Sequence, residues 1–114
     1  MNRAEAIEKL EGKAAEIQQK LAALGYAPFL FMVNLEELEQ DVAGCFYVGS
    51  ETIAVSEAFY AHDPEFCLNT VVPHEMCHLY VSKYFTDVTD EHGKEFSMLM
   101  EALGLKPNAF CHAI

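Results

Sequence analysis

The sequence lacks a long apolar run and is poor in basic residues. No stretch approaches the roughly 18 to 20 apolar residues of a membrane-spanning helix, and the start, Met1 to Glu5, has no apolar segment suited to a secretion signal. Lysine and arginine number 7 against 18 acidic residues, a net charge of −11. We therefore expect a cytoplasmic protein with no membrane partner. The charge argues against nucleic-acid binding through a broad positive surface and leaves a local basic patch open.

Closely spaced cysteine pairs are also missing. Cys45, Cys67, Cys77 and Cys111 lie 22, 10 and 34 residues apart, so no Cys-x-x-Cys pair can begin a zinc ribbon or a redox loop. Reduced thiols are the default in the cytosol, and 52% hydrophobic residues supply an ordinary core without cross-links. At this length the chain predicts one compact domain over residues 1–114.

Hydrophobic patterning predicts an α+β fold. Residues 2–24 repeat apolar side chains at helical spacing, and the apolar run 29–33 is typical of a buried strand. A capping-box pattern at 34–37 predicts a short helical turn after it. Segments 44–48 and 52–55 are rich in β-branched and aromatic residues and flank a Gly-Ser pair, which indicates a hairpin. We therefore expect an N-terminal helix followed by a small, three-stranded, mostly antiparallel sheet.

A proline interrupts the longest helix expected in the second half. Residues 65–85 are helical in composition apart from Pro73. A fresh helix capped by Asn69 or Thr70 would place Pro73 in its first turn, where a missing N–H costs little. The alternative is a kink at Val72.

One motif on this helix is typical of a metal-binding site. His74-Glu75-Met76-Cys77-His78 is an H-E-x-x-H sequence, and its two imidazoles share a helix face from which both can reach one Zn²⁺. Glu75 lies about 100° around the helix from His74, placed to take a proton from bound water rather than to bind the ion. Cys77 points about 60° away from His74 and is expected to be a buried thiol. A pair of core histidines on an ordinary buried helix remains an alternative.

A catalytic zinc needs a third protein ligand, and His92 is the best candidate. It begins the last predicted helix, at about 90–103, on the stripe formed with Phe96, Leu99 and Leu103. That stripe packs inward, and the positive end of the helix disfavours imidazolium, which keeps the ring neutral for metal binding.

Taken together, these segments resemble the SprT-like zinc metalloproteases. The likeness rests on the run 71–79, on His92-Gly93-Lys94-Glu95-Phe96 and on the Leu-Met-Glu-Ala-Leu-Gly ending at Gly104, and it extends over about residues 41–104. It implies a zincin-like fold with an active-site helix and a C-terminal helix. It further implies one Zn²⁺ ion bound by His74, His78 and His92, with Glu75 as catalytic acid/base.

Three departures from the family pattern bear on partners. Many members carry a four-cysteine zinc ribbon after the catalytic core, and the sequence contains none. The family often has arginine where Ala54 stands, and no lysine or arginine occurs in residues 22–81. The family includes a protease of DNA–protein crosslinks, which implies DNA-associated or crosslinked substrates, but these departures argue against DNA binding.

Two functions from different classes remain. The first is a zinc-dependent endopeptidase in which a zinc-activated water attacks the peptide bond and Glu75 is general acid/base. The second is a catalytically silent, zinc-stabilised module whose acidic surface binds a basic protein. A complete ligand set with a base favours the enzyme, and the missing ribbon and basic surface favour the module.

Overall fold

The computed structural model describes residues 2–85 and 92–105, and these residues form an α+β fold as predicted. The helices are α1 (Arg3–Ala23), α2 (Glu57–His62), α3 (Pro64–Phe66), α4 (Val72–Tyr84) and α5 (Lys94–Ala102), and the strands are β1 (Met32–Glu36), β2 (Gly44–Tyr47) and β3 (Thr52–Ser56). A π-helical segment, Cys67–Val71, joins α3 to α4.

The N-terminal helix α1 follows the predicted periodicity. The Asn2 side chain caps it by accepting a hydrogen bond from the Glu5 N–H at 3.1 Å, and Gly25 ends it with a φ of +101° that suits glycine. Its buried side chains recur every three or four residues: Ala6, Leu10, Ala14, Ile17 and Leu21. This stripe packs against β1 and α4 and forms one wall of the core.

The sheet has three strands, as predicted, but its first strand and its topology differ from the prediction. The expected buried strand at 29–33 is wrong in its bounds, because β1 begins only at Met32 and Leu30 is 93% exposed. The order is β1-β3-β2, with β2 and β3 antiparallel and β1 and β3 parallel. The expectation of a mostly antiparallel sheet therefore holds for the hairpin only. The reason is that β3 folds back between β1 and β2, so Val55 pairs with Leu35 on one side and with Gly44 on the other. Strands that are consecutive in sequence, β1 and β2, are not neighbours.

Two details of the strands also differ from the prediction. The expected helical turn at 34–37 is wrong, because β1 continues to Glu36 with Val33 and Leu35 buried in alternation. Core burial on every second residue overrides the local capping pattern. The hairpin turn covers residues 48–51, with a positive φ at Gly49, rather than the Gly-Ser pair alone.

A π turn precedes Pro73 at the start of α4. Val72 N–H donates to the Cys67 carbonyl, five residues earlier, and Pro73 then falls in the first turn of α4. Asn69 caps nothing there, since its side-chain amide donates to Glu65 at 3.1 Å. Pro73 thus lies in the first turn of a helix, as the first alternative predicted, but Asn69 and Thr70 do not cap that helix: its N-cap is Val71, at the end of the π-helical segment.

Helix α4 lies at the centre of the molecule. Every residue from Val72 to Val81 is buried, and α4 packs against α1, α5, β2 and β3. The H-E-x-x-H sequence is thereby held inside the core. None of the described helices is both long and apolar enough to cross a membrane.

Candidate metal centre

Helix α4 presents two imidazoles on one face. His74 and His78 are one turn apart and only 1% and 8% exposed, respectively. Their ring centroids are 4.9 Å apart, and their Nε2 atoms lie 3.2 Å from each other. The spacing of the motif thus produces two converging nitrogen donors at the edge of the core.

The third imidazole, His92, comes from the turn that precedes α5. Helix α5 has Gly93 at its N-cap, so His92 lies just before the helix rather than in its first turn as predicted. The His92 Nε2 is 3.0 Å from the His78 Nε2. Its ring centroid is 4.6 Å from that of His78 and 5.3 Å from that of His74. The structure brings the three predicted histidines together, although 14 residues separate His78 from His92 in the sequence.

The arrangement fits a single metal ion. The candidate donor atoms of the three histidines all lie within 4.8 Å of one another. Nitrogens bound tetrahedrally to zinc at about 2.0 to 2.1 Å from the ion are separated from each other by about 3.3 Å. The separations of 3.0 and 3.2 Å between Nε2 atoms are close to that value. Three imidazoles are also a donor set that suits zinc and leaves a fourth position for water or substrate.

Burial keeps two of the rings uncharged. Desolvation, followed by the neighbouring His92, lowers the pKa of His74 to about 4. Desolvation, followed by His74 and His92, lowers the pKa of His78 to about 3. Both rings are therefore neutral at pH 7, the form in which an imidazole nitrogen binds a metal.

Glu75 is fully buried beside this cluster, at the junction of α4 and β2. A Cβ built on Gly44 of β2 would lie 3.5 Å from the Glu75 Cγ and 2.5 Å from the Val71 Cγ1. Only a residue without a side chain lets β2 come so close to Val71, the last residue of the π-helical segment that leads into α4. Among the described residues, the group that could hold a metal consists of the three histidines and does not include Glu75. Glu75 thus lies next in sequence to a candidate donor, and its role as a base stays a prediction.

Cys77, between the two motif histidines, is a buried thiol as predicted. Burial, with a smaller contribution from the charge of Glu75, raises the pKa of its thiol far above the ordinary value. A thiol that stays protonated is a poor metal ligand.

The sequence pattern placed Phe96 in the core but did not reveal its contacts with the site. Its ring is 1% exposed, and its centroid is 4.8, 4.6 and 5.1 Å from those of His74, His78 and His92. The only signal available in the sequence was its position four residues after His92, on the same helical face.

The comparisons with known proteins agree with this geometry. Residues 14–113 match the model of the SprT-like family, a span that includes both histidine-bearing segments and all three strands. No curated protein and no solved structure matches the chain.

Proposed function

The chain belongs to the SprT-like family, and from this premise we propose that it is a zinc-dependent endopeptidase. The observation that carries the proposal is the convergence of three imidazole nitrogens, from α4 and from the turn before α5, beside a buried carboxylate that is not part of the donor group.

Each residue of the site has a definite task in this reaction. His74, His78 and His92 would hold the ion through neutral nitrogens. When bound, Zn²⁺ supplies a Lewis acid that activates water near neutral pH and polarises the scissile carbonyl. Glu75 accepts the proton of the attacking water and then donates it to the departing amine. Its burial excludes bulk water, so the carboxylate keeps that proton for the leaving group.

An extended segment of protein is the substrate that the surroundings favour. Strand β2 pairs only with β3 among the described strands, so its other edge has unpaired backbone groups, and Gly44 on this strand lies next to Glu75. A peptide added along that edge would place a backbone carbonyl near the histidines. Substrate recognition through the main chain requires no particular side-chain sequence, which is consistent with an endopeptidase.

DNA is not needed for this reaction in our proposal. Three of the described basic side chains are paired: Arg3 with Glu57 at 3.0 Å, Lys13 with Glu16 at 2.8 Å and Lys83 with Glu51 at 3.6 Å. Ala54, where the family often has arginine, is fully buried in β3. Together with the net charge of −11, this favours protein substrates that bind without nucleic acid, in a cytoplasmic setting.

The test is a reconstitution experiment with denatured casein as the probe. The purified chain should cleave casein, lose this activity after treatment with a chelator and recover it when one equivalent of Zn²⁺ is added. A zinc-loaded, folded protein that cleaves neither casein nor its own chain would instead support the silent protein-binding module.

A further inference from the structure

The three imidazoles of the site are not held in place equally well. His74 and His78 are buried on α4, where the helix backbone and the core fix them. His92 is exposed and lies in the turn before α5, outside any described helix or strand. Each contact that restricts the side-chain torsions of such an imidazole beforehand reduces the entropy lost when the metal binds, and so strengthens binding.

Phe96 is placed to provide that restriction. It stands one helical turn after His92 and packs edge-on against it, with ring planes at 84° and centroids 5.1 Å apart. The same ring packs against His74 at 66° and against His78 at 34°. Because α5 packs directly on α4, one aromatic ring fills the space shared by all three imidazoles.

We propose that Phe96 is a positioning residue that holds the His92 imidazole against the His74–His78 pair and so completes the metal centre before the ion arrives. The inference rests on the proposed metal-binding function and extends it to a residue that binds no metal itself. Partners that orient a metal ligand typically change metal affinity by about 10- to 100-fold when removed.

Zinc affinity, measured by competition with a chromophoric chelator, tests the proposal. Phe96→Ala should weaken zinc binding by about 10- to 100-fold. Phe96→Leu, which keeps an apolar side chain and the fold, should weaken it in the same direction by a smaller factor. The matched control is Leu99→Ala, which removes a fully buried side chain from the same helix. It should destabilise the metal-free protein and leave zinc affinity within about 3-fold of the wild type.

A double-mutant cycle with His92 separates positioning from a general loss of structure. If Phe96 acts through His92, the double variant His92→Ala/Phe96→Ala should bind zinc no more weakly than His92→Ala alone. Additive losses would overturn the proposal, as would wild-type affinity in both Phe96 variants or an equal loss in the Leu99 control. A wild-type chain that binds no zinc overturns the proposed function together with this inference. If the wild type binds zinc tightly and Phe96→Ala binds it equally well, the inference alone is overturned.

Discussion

At the scale of single residues, Glu75 is the side chain on which turnover depends in the proposed mechanism. Glu75→Gln preserves the shape of the side chain and removes the base, so we expect zinc content to stay at one equivalent while casein cleavage slows by about 10²- to 10⁴-fold. The rate and the zinc content by elemental analysis are measured on the same preparation. Glu101→Gln, an exposed change on α5, is the control and should leave both unchanged. Equal rates for Glu75→Gln and the wild type would contradict the assigned role.

The buried histidines also predict how acid affects the metal-free protein. The folded-state pKa values of His74 and His78, about 4 and about 3, lie below the ordinary 6.5. Above pH 6.5 both rings are neutral in either state, so their contribution to stability is fully present. Below pH 6.5 the unfolded chain binds protons that the folded chain does not. Each ring then lowers the free energy of unfolding by about 1.4 kcal/mol per pH unit until its folded-state pKa is reached.

Urea unfolding of the chelator-treated protein at pH 7.5, 6.0 and 5.0 measures this loss. We expect the free energy of unfolding to be highest at pH 7.5 and to fall between pH 6.0 and 5.0. A stability that is unchanged from pH 7.5 to 5.0 would mean that the two rings are not buried in the neutral form.

Much of the site is readable from the sequence because its residues follow helical spacing. The H-E-x-x-H pattern places His74, Glu75 and His78. The sequence selects His92 as part of an inward helical stripe, but His92 is exposed and lies before α5, so it joins the other two histidines for a different reason from the one predicted. The closeness of Gly44 to Glu75 and the contacts of Phe96 could not be predicted from the sequence. They depend on how β2 and α5 approach α4, and no local pattern encodes the distance between two packed elements.

At the scale of elements, the contact between β2 and the π-helical segment that leads into α4 is sensitive to substitution. A Cβ on Gly44 would lie 2.5 Å from the Val71 Cγ1 and 3.1 Å from the Ala54 carbonyl oxygen, so a strand or the helix must shift. We expect Gly44→Ala to destabilise the protein by about 1 to 3 kcal/mol and to lower casein cleavage, since Glu75 moves with α4.

Gly12→Ala is the matched control, because it makes the same chemical change inside α1 where nothing lies within 4 Å of the added carbon. It should stabilise the protein by about 0.4 to 1 kcal/mol. Urea unfolding and the rate of casein cleavage, measured for both variants, check these expectations. A Gly44→Ala protein as stable and as active as Gly12→Ala would show that β2 is not packed tightly against Val71 and the start of α4.

The elements differ in how far local sequence determines them. Periodicity and capping predict α1 nearly to the residue, because both act within a few residues. The parallel pairing of β1 with β3 joins segments separated by β2 and the loops on either side of it, and hydrophobic alternation does not specify which neighbour a strand takes.

At the scale of the whole molecule, the charge balance decides which partners are attracted. With a net charge of −11, repulsion from DNA is strongest at low ionic strength. We therefore expect single- or double-stranded DNA to leave the rate of casein cleavage unchanged, within about 2-fold, at about 50 mM salt. Cleavage assays with and without each DNA, with DNA retention measured by gel shift, check this expectation. Strong activation by either DNA would contradict it and would favour DNA-associated substrates.

The central claim is that three imidazoles from two separate segments bind one zinc ion. X-ray absorption at the zinc edge, recorded on the protein loaded with one equivalent of Zn²⁺, tests it most directly. We expect three imidazole nitrogens at about 2.0 to 2.1 Å and one further oxygen or nitrogen donor, with one imidazole lost in His92→Ala. Sulfur scattering at about 2.3 Å, or an unchanged imidazole count in His92→Ala, would contradict it.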